Sequence, residues 1–388
     1  MKQRLRMKET RKPSAVRERS DITRAGRIVV KVGSSSLTTV DGGVSEDALK
    51  ALVDTLGRAR AAGTEIILIS SGAVAAGLSP MGIQRRPRDL ATQQAAAAVG
   101  QGHLVAQYVD EFAKHGVTVG QVLLTAEDLN RREQYGNAFN TLNRLLDLGV
   151  LPIINEHDTV ATHEIRFGDN DRLAALVADL VKAETLVLLS DVDAVYDGPP
   201  QKGATRISRV DSPADLDGVE IGGTGSGIGT GGMATKVRAA TMAAESGIPA
   251  LVTSAANVGR VLEGEDVGTW FATRGVRRSA RMLWLEHLAD PDGRLVLDAG
   301  AVKAIAGGKK SLLPAGITSV SGDFNAGDVV ELTDKKGKII ARGIVNYDND
   351  ELPAMIGKTT RELSKKQGKR YARSVVHVDD LVVVVRRR

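Results

Sequence analysis

A glycine-rich segment that ends in a lysine is the strongest chemical signal in this chain. Seven of the eleven residues from Gly222 to Gly232 are glycine, and Lys236 follows where a helical pattern begins. Glycine lets backbone N–H groups approach an anion closely, and a helix start and a lysine both attract negative charge. The spacing fits neither a Walker loop nor a dinucleotide fingerprint. A phosphate-binding loop and a flexible linker are therefore both open at this point.

A second lysine, Lys31, lies inside the apolar run 27–33, which ends in Gly33. Charged side chains are unusual in buried strands, so we expect Lys31 to point into a site. The Gly-Ser-Ser turn that follows would present N–H groups to the same anion. The alternative is an ordinary strand-end lysine whose amine reaches solvent.

An acidic and amide cluster, Gly168-Asp-Asn-Asp171, precedes another helical pattern. Asp169 or Asn170 alone would suffice to cap that helix. Because the cluster exceeds what a cap requires, we expect Asp171 to orient the two lysines and Asn170 to hold a polar substrate.

Two more polar clusters follow apolar runs. In Asn155-Glu-His-Asp158, Asp158 is a candidate partner for a substrate ammonium group, and His157 is given no role. The segment Ser70-Ser-Gly-Ala73 lacks the G-x-S-x-G spacing of a nucleophile turn, which favours a substrate-binding turn.

Alternating strands and helices are expected to position these residues. Apolar runs predict strands at 27–33, 65–72, 117–124, 150–155, 185–190 and 250–253. Helical spacing predicts helices at 46–62, 91–115, 131–147, 172–181 and 235–246. This order predicts an α/β fold with a mainly parallel sheet, whose ligands lie beyond the carboxyl ends of the strands. The polar clusters fall at those ends.

The pattern changes after about residue 280, where short strands and hairpin turns predict a small, mostly β second domain. The expected organisation is a basic, disordered extension, a first domain, a linker, the second domain and a tail, at 1–26, 27–280, 281–292, 293–371 and 372–388.

Charge and composition exclude several classes of protein. The net charge of +5 arises in residues 1–27, which carry +7, so the remainder is slightly acidic. The absence of cysteine excludes disulfides, thiolate metal sites and a cysteine nucleophile. No apolar run approaches the roughly 20 residues of a membrane helix, and no secretory signal is visible, so we expect a cytoplasmic protein without a membrane partner.

The motifs resemble those of the amino acid kinase family, and most closely its members that phosphorylate glutamate. The resemblance spans about residues 27–275 and rests on the segments 30–35, 70–77, 120–125, 152–158, 168–171, 189–191 and 229–236. Residues 293–371 resemble a PUA domain, on the segments 298–305 and 311–317.

The resemblance implies a three-layer α/β/α sandwich that transfers phosphate from ATP to the γ-carboxylate of L-glutamate, the first step of proline synthesis. It also implies Mg²⁺, feedback inhibition by proline and a homo-oligomer, either a dimer or a tetramer. No side chain of this chain is assigned as a metal ligand. Ser190 stands where a threonine is expected, and His157 where an asparagine is expected.

Roles transfer by position. The catalytic residues would be Lys31, Lys236 and Asp171. Glutamate would be bound by Ser71, Gly72, Ala73, Asn155, Asp158 and Asn170. ATP would be bound by Lys31, Gly33, Ser190, Asp191, Thr230, Gly231, Gly232, Met233, Ala234, Thr235 and Lys236.

The chemistry agrees with this reading. A carboxylate with a pKa of about 4.3 is already a nucleophile at neutral pH, so it needs no general base. Phosphoryl transfer depends mainly on positioning and charge neutralisation, which two lysines and a glycine loop can supply. Two alternatives stay open: another member of the family, such as an acetylglutamate-type kinase, and an RNA-binding PUA protein. The aromatic content of 3% offers few stacking platforms for RNA, which therefore stays only a secondary candidate partner.

Overall fold

The computed structural model describes residues 16–39, 43–85, 87, 89–129, 132–160, 169–199, 202–219, 232–273, 285 and 291–384. The chain divides into two compact units, with the boundary between Arg277 and Arg278. Each unit has its own sheet.

Eight strands of the described residues form the sheet of the first unit. They are β1 Arg27–Val32, β2 Glu65–Ser70, β3 Val119–Leu124, β4 Leu151–Glu156, β5 Thr185–Ser190, β6 Arg209–Val210, β7 Ala250–Ser254 and β8 Thr269–Phe271. Their order is β3-β4-β2-β1-β5-β7-β8-β6. The six strands from β3 to β7 in this order are mutually parallel, whereas β8 runs antiparallel to β7 and parallel to β6.

The parallel sheet confirms the predicted α/β class. The class could be predicted because the central strands are continuous apolar runs. Strands β1 and β2 are buried along nearly their whole length, as expected for strands covered on both faces. Strands β6 and β8 were not predicted, since two and three residues are too short to produce a recognisable pattern.

Helices of the first unit follow the strands. They are α1 Glu46–Ala61, α2 Ala73–Leu78, α3 Leu90–Ala113, α4 Arg132–Asp147, α5 Asp169–Leu180, α6 Met233–Glu245 and α7 Val258–Leu262. Ser45 and Asp89 cap α1 and α3 by accepting hydrogen bonds from backbone N–H groups of the first turn. Helices α2 and α7 are additions to the predicted set.

Strand β1 lies between β2 and β5, so the carboxyl ends of these three strands are neighbours. Val32, the last residue of β1, is level with Ser70 on one side and with Leu189 on the other. The chain thus leaves β1 for β2 on one side and returns as β5 on the other, the kind of point at which open parallel sheets bind ligands.

The end of the expected N-terminal extension is part of the first unit. Residues Arg19–Arg24 form a 3₁₀ helix, and Val16, Ile22 and Ala25 are buried in the same core as β1 and α1. The Arg19 guanidinium donates a hydrogen bond to the Ser208 carbonyl. The expectation of disorder through residue 26 is therefore corrected for residues 16–26, because three apolar side chains among the charges are buried. Residues 1–15 lie outside the described residues.

The second unit contains five described strands, β9 Gly293–Leu297, β10 Ile317–Gly322, β11 Val329–Thr333, β12 Ile339–Val345 and β13 Val376–Val383, in the order β10-β9-β11-β12-β13. Two helices accompany them, α8 Ala299–Ala306 and α9 Thr360–Gln367. A mostly β second domain was predicted, and the separate sheet confirms that class.

Strand β13 lies beyond residue 371, where the second domain was expected to end. It pairs antiparallel with β12, so the expected tail 372–388 supplies an edge strand of the second sheet. Of the expected linker 281–292, only residues 285, 291 and 292 are described. Among the described residues, no helix combines the length and apolar character needed to cross a membrane.

Candidate active site

Two lysines from distant parts of the chain meet on one carboxylate. The Lys31 amine lies 2.6 Å from Asp171 Oδ1, and the Lys236 amine lies 3.5 Å from Asp171 Oδ2. The Thr235 hydroxyl is 2.7 Å from the same Oδ2 and can donate to it. Lys31, Asp171 and Lys236 are 4%, 1% and 5% exposed. We call these four residues the charged cluster.

Three elements build the charged cluster. Lys31 is the next-to-last residue of β1, Asp171 lies in the first turn of α5, and Lys236 lies in the first turn of α6. The cluster therefore sits at the carboxyl end of the central strand and beside two helix N-termini. A helix N-terminus attracts negative charge, so this position suits both Asp171 and an incoming phosphate.

The cluster keeps Asp171 ionised. Burial alone would raise the pKa of Asp171, but the charges of Lys31 and Lys236, with hydrogen bonds from Lys31 and Thr235, outweigh it and lower the pKa below 3.8. A carboxyl group whose pKa is lower in the folded chain than in the unfolded chain stabilises the fold at any pH above its unfolded pKa. This stabilisation is lost as the pH falls through the folded pKa. At neutral pH Asp171 is thus an ionised carboxylate between two lysine side chains.

The pKa of Lys31 is lowered from 10.5, first by burial and then by the charge of Lys236, although Asp171 opposes the shift. A buried ammonium beside a second one loses its proton more easily than an exposed lysine. Lys31 is therefore expected to lose its charge at a lower pH than an exposed lysine does.

A second group of side chains consists of neutral hydrogen-bonding groups. The Asn170 amide donates to Ser71 Oγ at 3.1 Å and to Asn155 Oδ1 at 3.0 Å. The Asn155 amide donates in turn to Gln101 Oε1 at 2.6 Å. The backbone N–H of Glu156 lies 2.9 Å from Asn155 Oδ1 and 3.2 Å from Asn170 Oδ1. We call Ser71, Gln101, Asn155 and Asn170 the amide network.

Gln101 is the member of this network that sequence reasoning missed. It lies in the middle of α3, and its partner Asn155 is 54 residues away in the chain. A polar residue inside a helical pattern gives no local signal of a site. Only its contact with the end of β4 shows that Gln101 belongs to the network.

The turn between β2 and α2 brings Ser71 to the network. Gly72 has a φ of 114°, a left-handed conformation that L side chains rarely adopt, and it directly precedes α2. The Ser71 N–H donates to the carbonyl of Val32 at 3.2 Å, which ties the turn to the end of β1. The turn thus connects the amide network, through the Ser71 side chain, with the end of β1.

The expected nucleotide residues lie at neighbouring strand and helix ends. Gly33 follows β1, and a Cβ placed on it would lie 3.8 Å from the Lys31 amine. Ser190 is buried at the end of β5 and donates to Asp191 Oδ1 at 3.0 Å. Gly232 precedes α6, which contains Met233, Ala234, Thr235 and Lys236.

The remaining expected site residues are Asp158, Thr230 and Gly231. Asp158 is half-buried and begins the 3₁₀ turn Asp158–Val160 after β4. Thr230 and Gly231 lie outside the described residues, as does the preceding part of the glycine-rich segment. The roles of all the site residues stay predictions, although the geometry brings most of them together.

Comparison with known proteins places this arrangement in a family. The profile of the amino acid kinase family matches residues 26–254, which include the charged cluster and the amide network. The chain belongs to the amino acid kinase family. A separate profile, that of the PUA domain, matches residues 293–366.

Curated relatives of this amino acid kinase match nearly its whole length. A protein named glutamate 5-kinase from Streptomyces coelicolor is 58% identical over 94% of this chain and 98% of the relative. Proteins of the same name from Thermobifida fusca and Bifidobacterium longum are 56% and 52% identical, over 94% and 96% of this chain and 95% and 99% of the relatives. A solved structure, UMP kinase from Bacillus anthracis, aligns with 65% of this chain and 97% of its own at 13% identity and a TM-score of 0.44, too low to inform the site.

Proposed function

We propose that this chain transfers the γ-phosphoryl group of ATP to the γ-carboxylate of L-glutamate, the reaction after which its relatives are named. The observation that supports this most strongly is the pair of buried lysines held on Asp171, at distances of 2.6 and 3.5 Å. One carboxylate neutralises only one of the two ammonium groups. The remaining positive charge suits a phosphoryl group in transfer.

Phosphoryl transfer to a carboxylate requires mainly that the protein position the two substrates and neutralise negative charge. The γ-carboxylate of glutamate, with a pKa of about 4.3, is ionised at neutral pH and can attack without losing a proton. Charge on the transferred group is spread over its oxygens, and preorganised cations in a dry site stabilise it strongly. In the proposed mechanism Lys31 and Lys236 contact those oxygens, and Asp171 orients both amines without contacting the substrate.

The phosphates of ATP would lie along the backbone after Gly33 and at the N-terminus of α6. The first N–H groups of a helix have no partner within the helix and can donate to phosphate oxygens. The hydroxyl of Ser190 and the carboxylate of Asp191 would contact the nucleoside part. Mg²⁺ would be bound through phosphate oxygens and water and would neutralise part of their charge.

Glutamate would be bound on the side of the amide network. Amide and hydroxyl groups can both donate and accept hydrogen bonds, so Ser71, Asn155 and Asn170 suit the polar ends of an amino acid. The backbone of Gly72 and Ala73 would contribute to the same surface. Asp158 would pair with the substrate ammonium group.

Regulation and assembly extend this proposal. Proline carries the same α-carboxylate as glutamate and a secondary ammonium group, so it would compete for the groups that bind those ends and act as feedback inhibitor. We also propose a cytoplasmic homo-oligomer, a dimer or a tetramer. Light scattering of the purified protein would give the oligomer size.

The test is a hydroxamate-trapping assay with ATP, Mg²⁺ and L-glutamate, run beside L-aspartate and N-acetyl-L-glutamate. We expect glutamate-dependent hydroxamate that falls when proline is added. Signal with another acid alone would contradict the substrate and retain the kinase mechanism. The absence of signal with all three acids would contradict the proposed reaction.

A further inference from the structure

Helices α2 and α3 cross with their backbones in direct contact at two glycines. A Cβ placed on Gly77 would lie 1.9 Å from the carbonyl oxygen of Ala96. A Cβ placed on Gly100 would lie 1.8 Å from the carbonyl oxygen of Ala73. Real Cβ contacts do not come this close, so a methyl group at either position must separate the helices.

The atoms that oppose these glycines belong to the backbone. A clash with the tip of a side chain can be relieved by a change of rotamer, whereas a clash with a carbonyl requires the helix itself to move. Gly102, two residues further along α3, is exposed and has no atom within 4 Å of an added Cβ. The need for glycine is thus confined to the face of α3 that meets α2.

The crossing connects two members of the amide network. Ala73, whose carbonyl opposes Gly100, is two residues after Ser71, and Gln101 directly follows Gly100. Hydrogen bonds run from Ser71 through Asn170 and Asn155 to Gln101. The contact of Gly100 with Ala73 therefore closes a ring whose other side is made of those bonds.

We propose that Gly100, supported by Gly77, is a positioning residue for the glutamate subsite, because it fixes the separation between the Ser71 turn and Gln101. This inference rests on the proposed function. A methyl at position 100 would move the Ser71–Ala73 turn away from α3. The charged cluster, which is built on β1, α5 and α6, contains no residue of either crossing helix.

The test measures glutamate and ATP kinetics in Gly100→Ala, Gly77→Ala and the control Gly102→Ala. We expect Gly100→Ala to raise the KM for glutamate about tenfold or more, because displacements of about 1 Å cost up to a hundredfold. A variant that loses only binding shared by the ground state and the transition state raises the KM of the substrate concerned and leaves kcat unchanged. The KM for ATP should therefore change less than about twofold. Gly77→Ala should raise the KM for glutamate less than Gly100→Ala does. Gly77 lies about one helical turn beyond Ala73, the residue that opposes Gly100, and so is further from Ser71.

The control and the thermal midpoint separate positioning from stability. Gly102→Ala should leave both KM values unchanged and raise the thermal midpoint slightly, because alanine favours helix over glycine. A purely structural role would lower the thermal midpoint and the amount of active enzyme without changing KM. If Gly100→Ala does not fold, Gly77→Ala carries the same test.

An unchanged KM for glutamate in folded Gly100→Ala, or in Gly77→Ala where that variant carries the test, would overturn the inference. A parallel rise of both KM values would overturn it as well, since the effect would not be confined to one subsite. A wild-type protein without glutamate-dependent turnover would overturn the proposed function and the inference with it, and the two failures are therefore distinguishable.

Discussion

The charged cluster and the amide network lie at the ends of neighbouring strands but are built on different physical principles. The charged cluster places full charges in the interior, where Asp171 is held by two lysines at 2.6 and 3.5 Å. The amide network uses groups that carry no charge and satisfy one another through hydrogen bonds of 2.6 to 3.1 Å. The three charged side chains are buried, whereas in the amide network Asn155 is buried and Ser71, Gln101 and Asn170 are half-buried.

This difference assigns the two groups to different steps of the proposed reaction. Buried charges interact strongly because water does not screen them, and in the proposed mechanism one positive charge is left over for the transition state. Neutral amides discriminate by geometry instead, since a ligand that leaves one of them without a partner loses affinity. Variants of the charged cluster should therefore act on kcat, and variants of the amide network should act on the KM for glutamate.

Lys236→Ala should give the largest effect. Loss of one cation at the transferred group is expected to lower kcat about 10²- to 10³-fold, as for other groups that stabilise transition-state charge. The KM for glutamate should change little. Steady-state hydroxamate formation measures both, with Arg238→Ala, an exposed residue of the same helix, as the control. Retained turnover in Lys236→Ala would remove this lysine from the mechanism.

Asp171→Asn should disturb stability as well as turnover. The substitution keeps the shape but leaves two buried ammonium groups without a counter-charge, which typically costs about 3–5 kcal/mol. We expect a lower thermal midpoint and a fall in kcat. Adding Lys31→Met to Asp171→Asn removes one unpaired charge and should recover part of the thermal midpoint. If the single variant is as stable as the wild type, the carboxylate does not hold the lysines as the geometry suggests.

Gln101→Ala tests the other side of the comparison. Removal of its side chain leaves the Asn155 amide without an acceptor, and an unsatisfied polar group of this kind costs about 1–3 kcal/mol. The KM for glutamate should rise about tenfold while kcat changes much less. Gln107→Ala, six residues further along the same helix, is the matched control. A fall in kcat with an unchanged KM would contradict the division between the two groups.

Sequence reasoning located the charged cluster better than the amide network. Lys31 and Lys236 stood out because a charge in an apolar strand and a glycine run before a helix are local anomalies, and Asp171 stood out because its neighbours exceeded the needs of a helix cap. Gln101 gave no such signal, since its role depends on a partner 54 residues away. A local sequence pattern reveals a residue whose type is unusual for its strand or helix. It does not reveal contacts between residues that are far apart in the chain.

The fold shows the same limit. The central strands begin and end within about two residues of their predicted bounds, because long apolar runs determine them. Strand β13 was missed because its role as a strand depends on pairing with β12. Residues 16–25 were missed because their charges concealed Val16, Ile22 and Ala25, which are buried in the first core.

The smallest predicted effect is a difference in pH dependence between the two groups. Because burial and the neighbouring Lys236 lower the pKa of Lys31 from 10.5, kcat at saturating substrates should fall on the alkaline side before pH 10.5 is reached. Gln101→Ala should show the same alkaline limb as the wild type, since its network carries no titratable group. Lys31→Arg should lose the limb, even at a lower kcat, because a guanidinium stays charged.

Unfolding would not explain that limb. Between the lowered pKa and 10.5, the unfolded chain binds more protons at Lys31 than the folded chain, so this site's contribution to the free energy of unfolding rises with pH. Turnover is thus lost while the contribution of Lys31 to stability increases. Thermal midpoints across the same buffers would confirm that the protein is folded where kcat falls. A wild-type kcat that stays constant up to pH 10.5 would show that Lys31 does not act as a charged group in transfer.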